Sequence, residues 1–472
     1  MNTTIQSRRR GFRLLPQLPA VALFAIFLLG ATSLSATTIS VPATHKTIQA
    51  GIDAAKPGDV VVVEPGVYKE RIHLKPGITL RSAGDNAKGK LGLKRAEATI
   101  IDAGGKMPGV EMAEGSTLDG LTVTHAGKFD QAEFDKHYES RGEHLPDEQG
   151  AVGFEDSEPA VQVTNVTATV KNCIVHDNGH AGIGVGGKKN ASQILSNVVY
   201  RNMGGGIGLA NGTTALAKGN TCFQNLRGGL GCRASSPEIR ENRSYDNVRA
   251  GIGIREGATP LVIDNECFEN RRAGIGNRMK GTAATIKNNR CYRNGMAGIG
   301  TRNQATPRIE GNECFENEMA GIGATADARP TIIGNKVYGN KLAAIGLDRC
   351  QAGKAVIKDN VITATTLVAI GINPGWTVEA EGNQISRKGG MPPLVMVFKG
   401  AKATFTKNEF TGSGVAAIRS QGEIVVKGNT FKCPAPRKGG PPQFAVWALE
   451  GSKVEFADDN TVEGWREAVV GP

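Results

Sequence analysis

The sequence predicts an all-β chain wound into one long parallel β-helix, and three observations carry that expectation. The stretch NECFENRRAGIGNR at residues 265–278 returns as NRCYRNGMAGIGTR at 289–302 and as NECFENEMAGIG at 312–323. The branched residue of its GIG triplet recurs at spacings of 22 to 25 residues: Ile183, Ile207, Leu230, Ile252, Ile275, Ile299, Ile322, Ile345 and Ile370. Asparagines keep fixed distances from it, five residues before (Asn178, Asn202, Asn225, Asn247 and onward to Asn340) and ten before (Asn197, Asn220, Asn242, Asn265 and onward to Asn360). A strict period of this length marks a repeat array rather than several unrelated domains. Short alternating segments between turn residues suit one coil of a β-helix, each coil stacking on the last at about 4.8 Å.

The elements follow in chain order. Residues 1–36 read as an export signal: Arg8, Arg9, Arg10 and Arg13, an apolar run at 20–29, then the small residues of ATSLSA. The arginines beside Phe12 bear a distant likeness to a twin-arginine signal. The run is short and flanked by Pro16 and Pro19, which favours cleavage over a retained anchor, and no other segment is apolar enough to span a membrane. Cleavage would remove four of the positive charges in a formal net charge of +11, leaving a mildly basic chain suited to acidic polymers or anionic surfaces. TIQAGIDAA at 47–55 predicts a short amphipathic helix, closed by KPGD and placed to cover the open β edge of the first coil. VVVVEPGVY and ITLRSAG follow as strands. An insertion at 128–159 breaks the period and carries His137, His144 and many carboxylates, the kind of loop that forms a binding wall. Regular coils run on to Ile370, and looser ones continue through VMVF, ATFT and EIVV. Two basic loops interrupt them, RKGGMPP from Arg387 and PRKGGPP from Pro436. No linker to an independent domain is visible, so residues 41–472 are expected to form one body.

Stacking turns equal offsets into lanes. Seven before the isoleucine stand Tyr200, Phe223, Tyr245, Phe268, Tyr292, Phe315 and Tyr338. Eight before stand Cys222, Cys267, Cys291 and Cys314, where other coils place Val175, Val199, Val337 and Ile362. Eight cysteines in an exported chain would ordinarily suggest disulfides. A position shared with valine and isoleucine is a core position, so buried free thiols are expected instead. The asparagine lanes can bond side chain to side chain and to turn backbone, and asparagine tolerates the left-handed conformation of tight turns.

TIQAGIDAAKPGDVVVVEPGVYKERI at 47–72, together with the N-x-C/V-Y/F-x-N-x-x-A-G-I-G coils, resembles the pectin-lyase-like superfamily over roughly residues 41–465. Within it the chain is most similar to the repeat-rich carbohydrate-binding and sugar-hydrolase type, and it shares its coils with periplasmic proteins of copper-enzyme maturation. The resemblance implies a single-stranded right-handed parallel β-helix with a short N-terminal capping helix. It does not imply one activity, because this scaffold hosts lyases, hydrolases, esterases, epimerases and non-enzymes. GVYKE at 66–70 resembles the opening motif of pectin methylesterases, but the later motifs of that family have no counterpart. The polygalacturonase aspartates, Gly-His-Gly and Arg-Ile-Lys are also missing, as is the Asp-Pro-His of alginate epimerases. GVYKE is therefore expected to be structural, and no catalytic residue carries over.

Two features break the structural pattern. Glycines stand one before and one after the repeat isoleucine on coil after coil, and the neighbours of an inward residue point outward, so a bare outer lane is expected. Beside it lie Arg233, Arg255, Arg278 and Arg302, three after the isoleucine, and Arg227, Arg249 and Arg272, three before. Like charges one coil apart repel by roughly 1 kcal/mol per pair even in water. The lane nine before (Arg243, Glu266, Arg290, Glu313, Lys336) alternates in sign and neutralises itself, whereas the arginine lanes do not. A smooth floor edged by guanidinium groups suits a linear polyanion such as a uronate or sulfated glycan. The bland alternative has the arginines solvated and paired with acids such as Glu256. Nucleic acid is not expected, for want of interleaved aromatics.

The second feature is histidine. All seven lie at or before position 180. VHDNGHAGIG puts His176 in the aromatic lane, with Asp177 and His180 beside it, and LTVTHAG puts His125 near the same corner one coil earlier. His125, His176, Asp177 and His180 are the candidate catalytic residues, a histidine and carboxylate set able to act as base and acid on a sugar. The same groups could hold a divalent metal, although no ligand spacing forms a signature and no cofactor motif is present. The leading expectation is a secreted, periplasmic or cell-surface protein that binds an acidic polysaccharide along the glycine–arginine face and, if an enzyme, cleaves it as a lyase or hydrolase. A non-catalytic scaffold or adhesion protein is the alternative, and metal delivery a weaker third.

Overall fold

The computed structural model describes residues 36–140, 158–364, 367–434 and 443–471. From Ala36 onward the chain is one compact unit. Three parallel sheets of 17, 16 and 16 strands run its length, and a typical coil gives one short strand to each. The coil containing Glu238–Arg240, Arg243–Tyr245 and Ile252–Arg255 shows the logic. Each of its first two strands turns one side chain inward, Ile239 and Ser244, and the third turns in Ile252 and Ile254, all buried. Register is in phase from coil to coil: Ile252 pairs with Leu230 and Ile275, and Gly253 with Gly231 and Gly276. The inner side chains therefore form continuous columns, each fully buried isoleucine worth roughly 2–3 kcal/mol over exposure.

The corners are held by the asparagine lanes. The Asn265 Nδ2 donates to Asn289 Oδ1 at 2.9 Å and to the Ile239 carbonyl at 2.9 Å. Its backbone N–H donates to the same Asn289 oxygen at 2.9 Å, and its own Oδ1 accepts from Asn242. Every polar atom of the amide is thus used inside the wall, which makes burial tolerable. The ten-before lane continues past Asn360 through Asn383, Asn408 and Asn429 to Asn460. The left-handed backbone falls on the residue before the asparagine, for example Asp246 (φ 50°), Asp264 (57°) and Glu269 (54°). The asparagine supplies hydrogen bonds, and its neighbour makes the turn.

The aromatic lane stacks from His176 to Tyr338 with successive ring centroids 4.8–5.1 Å apart. Beside it Arg243, Glu266, Arg290, Glu313 and Lys336 form a chain of ion pairs. The eight cysteines are free thiols, and Cys222, Cys267, Cys291 and Cys314 are fully buried core residues.

At the N-terminal end, α1 (Ile48–Ala54) is capped by Thr47, whose hydroxyl accepts from the Ala50 N–H at 3.1 Å. Ile48 and Ile52 join the main core. Glu70, the last residue of GVYKE, accepts from the backbone N–H groups of Ile48 and Gln49 at 2.9 and 3.0 Å, so that motif anchors the capping helix. The stretch VVVVEPGVY forms two strands, Val60–Val63 and Gly66–Tyr68, because the chain turns a corner at Glu64 and Pro65. Strands at Val395–Val397, Lys402–Thr406 and Glu423–Lys427 carry the coil pattern on. In the loop RKGGMPP, Arg387 is buried and donates to the Leu367 carbonyl, while the loop PRKGGPP lies outside the described residues.

Candidate functional site: an arginine-edged groove on the third sheet

The outer face of the third sheet forms a groove of about 760 Å³. Its floor is the lane of glycines one after the repeat isoleucine, among them Gly208, Gly231, Gly253 and Gly276. A Cβ added to Gly231 or Gly253 would meet nothing within 4 Å, so these positions offer bare backbone to whatever lies above. The glycines one before the isoleucine do not form a second outward lane, contrary to the sequence expectation. A Cβ on Gly274 would come within 2.7 Å of the Gly298 carbonyl oxygen and 2.9 Å of Asn294 Nδ2. The strand begins at the isoleucine itself, so the preceding residue still belongs to the turn, where successive coils crowd together.

All seven predicted arginines line this groove, as does His180. One edge holds the residues three after the isoleucine, with Arg233 paired in register to Arg255 and Arg278 to Arg302. The other edge is a backbone ladder. The Gly204 N–H donates to the His180 carbonyl at 3.0 Å, Arg227 to Gly204 at 3.0 Å and Arg249 to Arg227 at 3.2 Å. Arg272 accepts from Met296, which accepts from Met319, which accepts from Leu342. His180, itself three residues before Ile183, is therefore the first rung of the lane that Arg227 continues.

Burial and mutual repulsion act together on these cations. The Arg227 guanidinium is pulled down to about 10 by burial, then by the nearby Arg249 and Arg255. Arg278 is pulled down to about 10 by burial and then by Arg302. Arg255 is also lowered, chiefly by burial. Glu256 offers partial relief: its carboxylate lies 2.9 Å from Arg233 Nε and 3.3 Å from Arg255 Nε. Among the described residues, one acid thus serves both arginines. His180 is pushed down to about 4 by burial and then by Arg227, and is neutral at neutral pH.

The structure divides the predicted histidine set. His180 faces the groove, whereas His176 lies on the second sheet, its ring 4.9 Å from that of Tyr200. His176 Nδ1 is 2.8 Å from Asp177 Oδ2, and the other oxygen of Asp177 accepts from Arg201 Nε at 2.9 Å. Those contacts hold the Asp177 carboxyl below its ordinary range against the burial that raises it. His125 is one coil below Asp177, since Thr124 pairs with His176, and lies 3.3 Å from Asp102. His125, His176 and Asp177 thus share one corner, and the turn at Asn178 separates it from the groove. Among the described residues no group of three or more His, Cys, Asp or Glu side chains is arranged to hold a metal ion.

The insertion folds in part as a helix that periodicity did not announce. Asp130 caps α2 (Gln131–Glu139) by accepting from the Glu133 N–H at 3.1 Å. Phe134 is buried against Leu226 and Val248, with Phe129, Tyr138 and Met203 around it. Arg201 lies over the Phe134 ring at 4.8 Å, and the Tyr138 hydroxyl donates to Asp246. The segment straps the turns just before Arg227 and Arg249, and Gly179 lets the Lys128 backbone pass close. His137 is in this helix, away from the groove lining, while His144 lies outside the described residues. No helix among the described residues is long and apolar enough to cross a membrane.

A family model described as "Right handed beta helix region" matches residues 152–289 and 278–391. No curated protein matches the chain. Solved structures with a similar path include the Azotobacter vinelandii mannuronan C-5 epimerase AlgE6 A-module, at 16% identity and TM-score 0.32, covering 90% of this chain and 94% of that one. The periplasmic alginate epimerase AlgG aligns at 11% identity and TM-score 0.39 over 92% and 83% of the two chains. A thermostable GH87 α-1,3-glucanase from Streptomyces thermodiastaticus aligns at 11% and 0.35 over 92% and 70%. Likenesses this distant carry no argument about ligand or reaction.

Proposed function

The chain belongs to the right-handed β-helix family, and from that frame we propose that it binds an acidic polysaccharide lying along the third-sheet groove. The observation that carries this reading is the convergence of seven arginines on the edges of one glycine-floored channel. Folding has already removed water from several of these cations and set them against one another. A uronate or sulfate placed between them adds opposite charge, and guanidinium pairs such groups through two parallel hydrogen bonds. The coil rise is comparable to the length of one sugar, so successive residues of a linear glycan meet successive coils. Residues 1–36 support export to the periplasm, surface or exterior, where such polymers occur.

The test is calorimetric titration of hexagalacturonate at low and high salt into wild type and an Arg255→Ala, Arg278→Ala double variant. Expected is salt-sensitive binding that weakens at least tenfold in the variant, at about 1.4 kcal/mol per factor of ten. Unchanged affinity in the variant, or no preference over neutral maltohexaose, removes the groove as the site.

His180 favours a second, catalytic reading. A neutral imidazole beside Arg227 could accept the proton next to a uronate carboxylate held by that arginine, the opening step of a lyase. Its low pKa makes it a weak base, so binding remains the primary reading. Absorbance of unsaturated sugar ends, present in wild type and lost in His180→Gln, supports cleavage; a flat trace in wild type ends it.

A further inference from the structure

The two edges of the groove change chemistry half-way along while its shape continues. On the edge of Arg227, Arg249 and Arg272 the next coils carry Met296, Met319 and Leu342, and the same offset one coil further carries Leu367. These four residues are 43%, 42%, 46% and 51% exposed. On the opposite edge the arginines end at Arg302, and Thr325, Asp348 and Asn373 follow. The floor stays small throughout, and Val368 and Phe398 add apolar surface at the far end.

Resting on the reading above, we propose that the natural ligand is amphipathic, an acidic saccharide bearing an apolar chain. The saccharide occupies the arginine half and the chain follows the Met296–Leu342 edge toward Phe398. Four consecutive large apolar side chains left about half in solvent still have apolar surface to bury, and a row of them marks a surface meant to be covered. A uniform polyanion fits only half of the channel. Past Arg302 its charges would be desolvated against methionine and leucine and would face Asp348 instead of a cation. A polymer acylated at regular intervals would call for mixed edges along the whole length. Segregated edges match a ligand whose charge and apolar part are themselves segregated. The apolar edge spans three coil steps, about 14 Å at the spacing of stacked strands, enough for a medium-length alkyl chain.

Four probes decide the matter on the wild-type protein: glucuronic acid, hexagalacturonate, dodecyl β-D-glucuronide and dodecyl β-D-maltoside, the last two below their micellar concentrations. Expected is dodecyl glucuronide binding at least tenfold tighter than both glucuronic acid and dodecyl maltoside. A Met319→Ser, Leu342→Ser variant, which removes the apolar surface without adding charge, should lose that advantage while keeping hexagalacturonate affinity. Hexagalacturonate binding with no gain from the dodecyl chain overturns this inference and leaves the acidic-glycan reading standing. Equal affinity for the two dodecyl glycosides overturns it from the other side, since the acid then plays no part. Failure of every probe removes both readings. The wild-type comparison stands even where the double variant does not fold.

Discussion

At the residue scale, glycine does two different jobs two positions apart. Gly274 is required by crowding and Gly253 by exposure, and substitution separates them. Gly274→Ala should destabilise the chain by about 1–3 kcal/mol in urea unfolding, because neither a carbonyl nor a buried asparagine can retreat. Gly253→Ala should leave stability within about 0.5 kcal/mol yet weaken hexagalacturonate binding, since its methyl stands on the floor. The amphipathic GIG triplet disclosed both glycines equally, and only backbone position tells them apart. His180 gives a pH prediction. It protonates near 4 in the folded chain and near the ordinary 6.5 when unfolded. The unfolded state therefore binds more protons between those values, and stability falls as pH drops through that window, by about 3 kcal/mol. Stability of a His180→Gln variant measured at pH 7 and pH 4 should show that much less acid sensitivity. An unchanged difference would mean that the imidazole is already hydrated.

At the element scale, the strap formed by α2 fixes the turns from which Arg227 and Arg249 project. Its grip is one buried phenylalanine and a tyrosine that bridges to Asp246. Phe134→Ala should cost about 3 kcal/mol locally and release the strap while the coils persist. Limited proteolysis should then cut near residue 140, with the far-ultraviolet circular dichroism unchanged; equal resistance to protease would deny the strap its anchoring role. The insertion was visible in the sequence as a break in period, but its helix was not. Nine residues with a single buried aromatic carry too little amphipathic pattern, and the surface that receives them comes from coils far along the chain.

At the scale of the whole molecule, the array should behave as a sum of coils. Deleting residues 265–311 removes two complete coils, keeps Asn242 next to Asn312 in the corner lane, and sets Arg243 against Glu313 so that the alternating lane survives. The shortened chain should retain its β-rich circular dichroism. It loses Arg272, Arg278 and Arg302, so its affinity for hexagalacturonate and the salt dependence of that affinity should both fall. Retained affinity would move the ligand off these coils. The sequence by itself determined the winding, the core columns, the asparagine corners and the arginine lanes, because a stacked repeat converts equal offsets into neighbours through local geometry alone. Which glycines are floor, and on which side of a corner each of the predicted histidines emerges, were decided by tertiary structure. Those depend on where each strand begins and on which side of a corner a side chain emerges, and a few tenths of a coil in that position changes the neighbours completely.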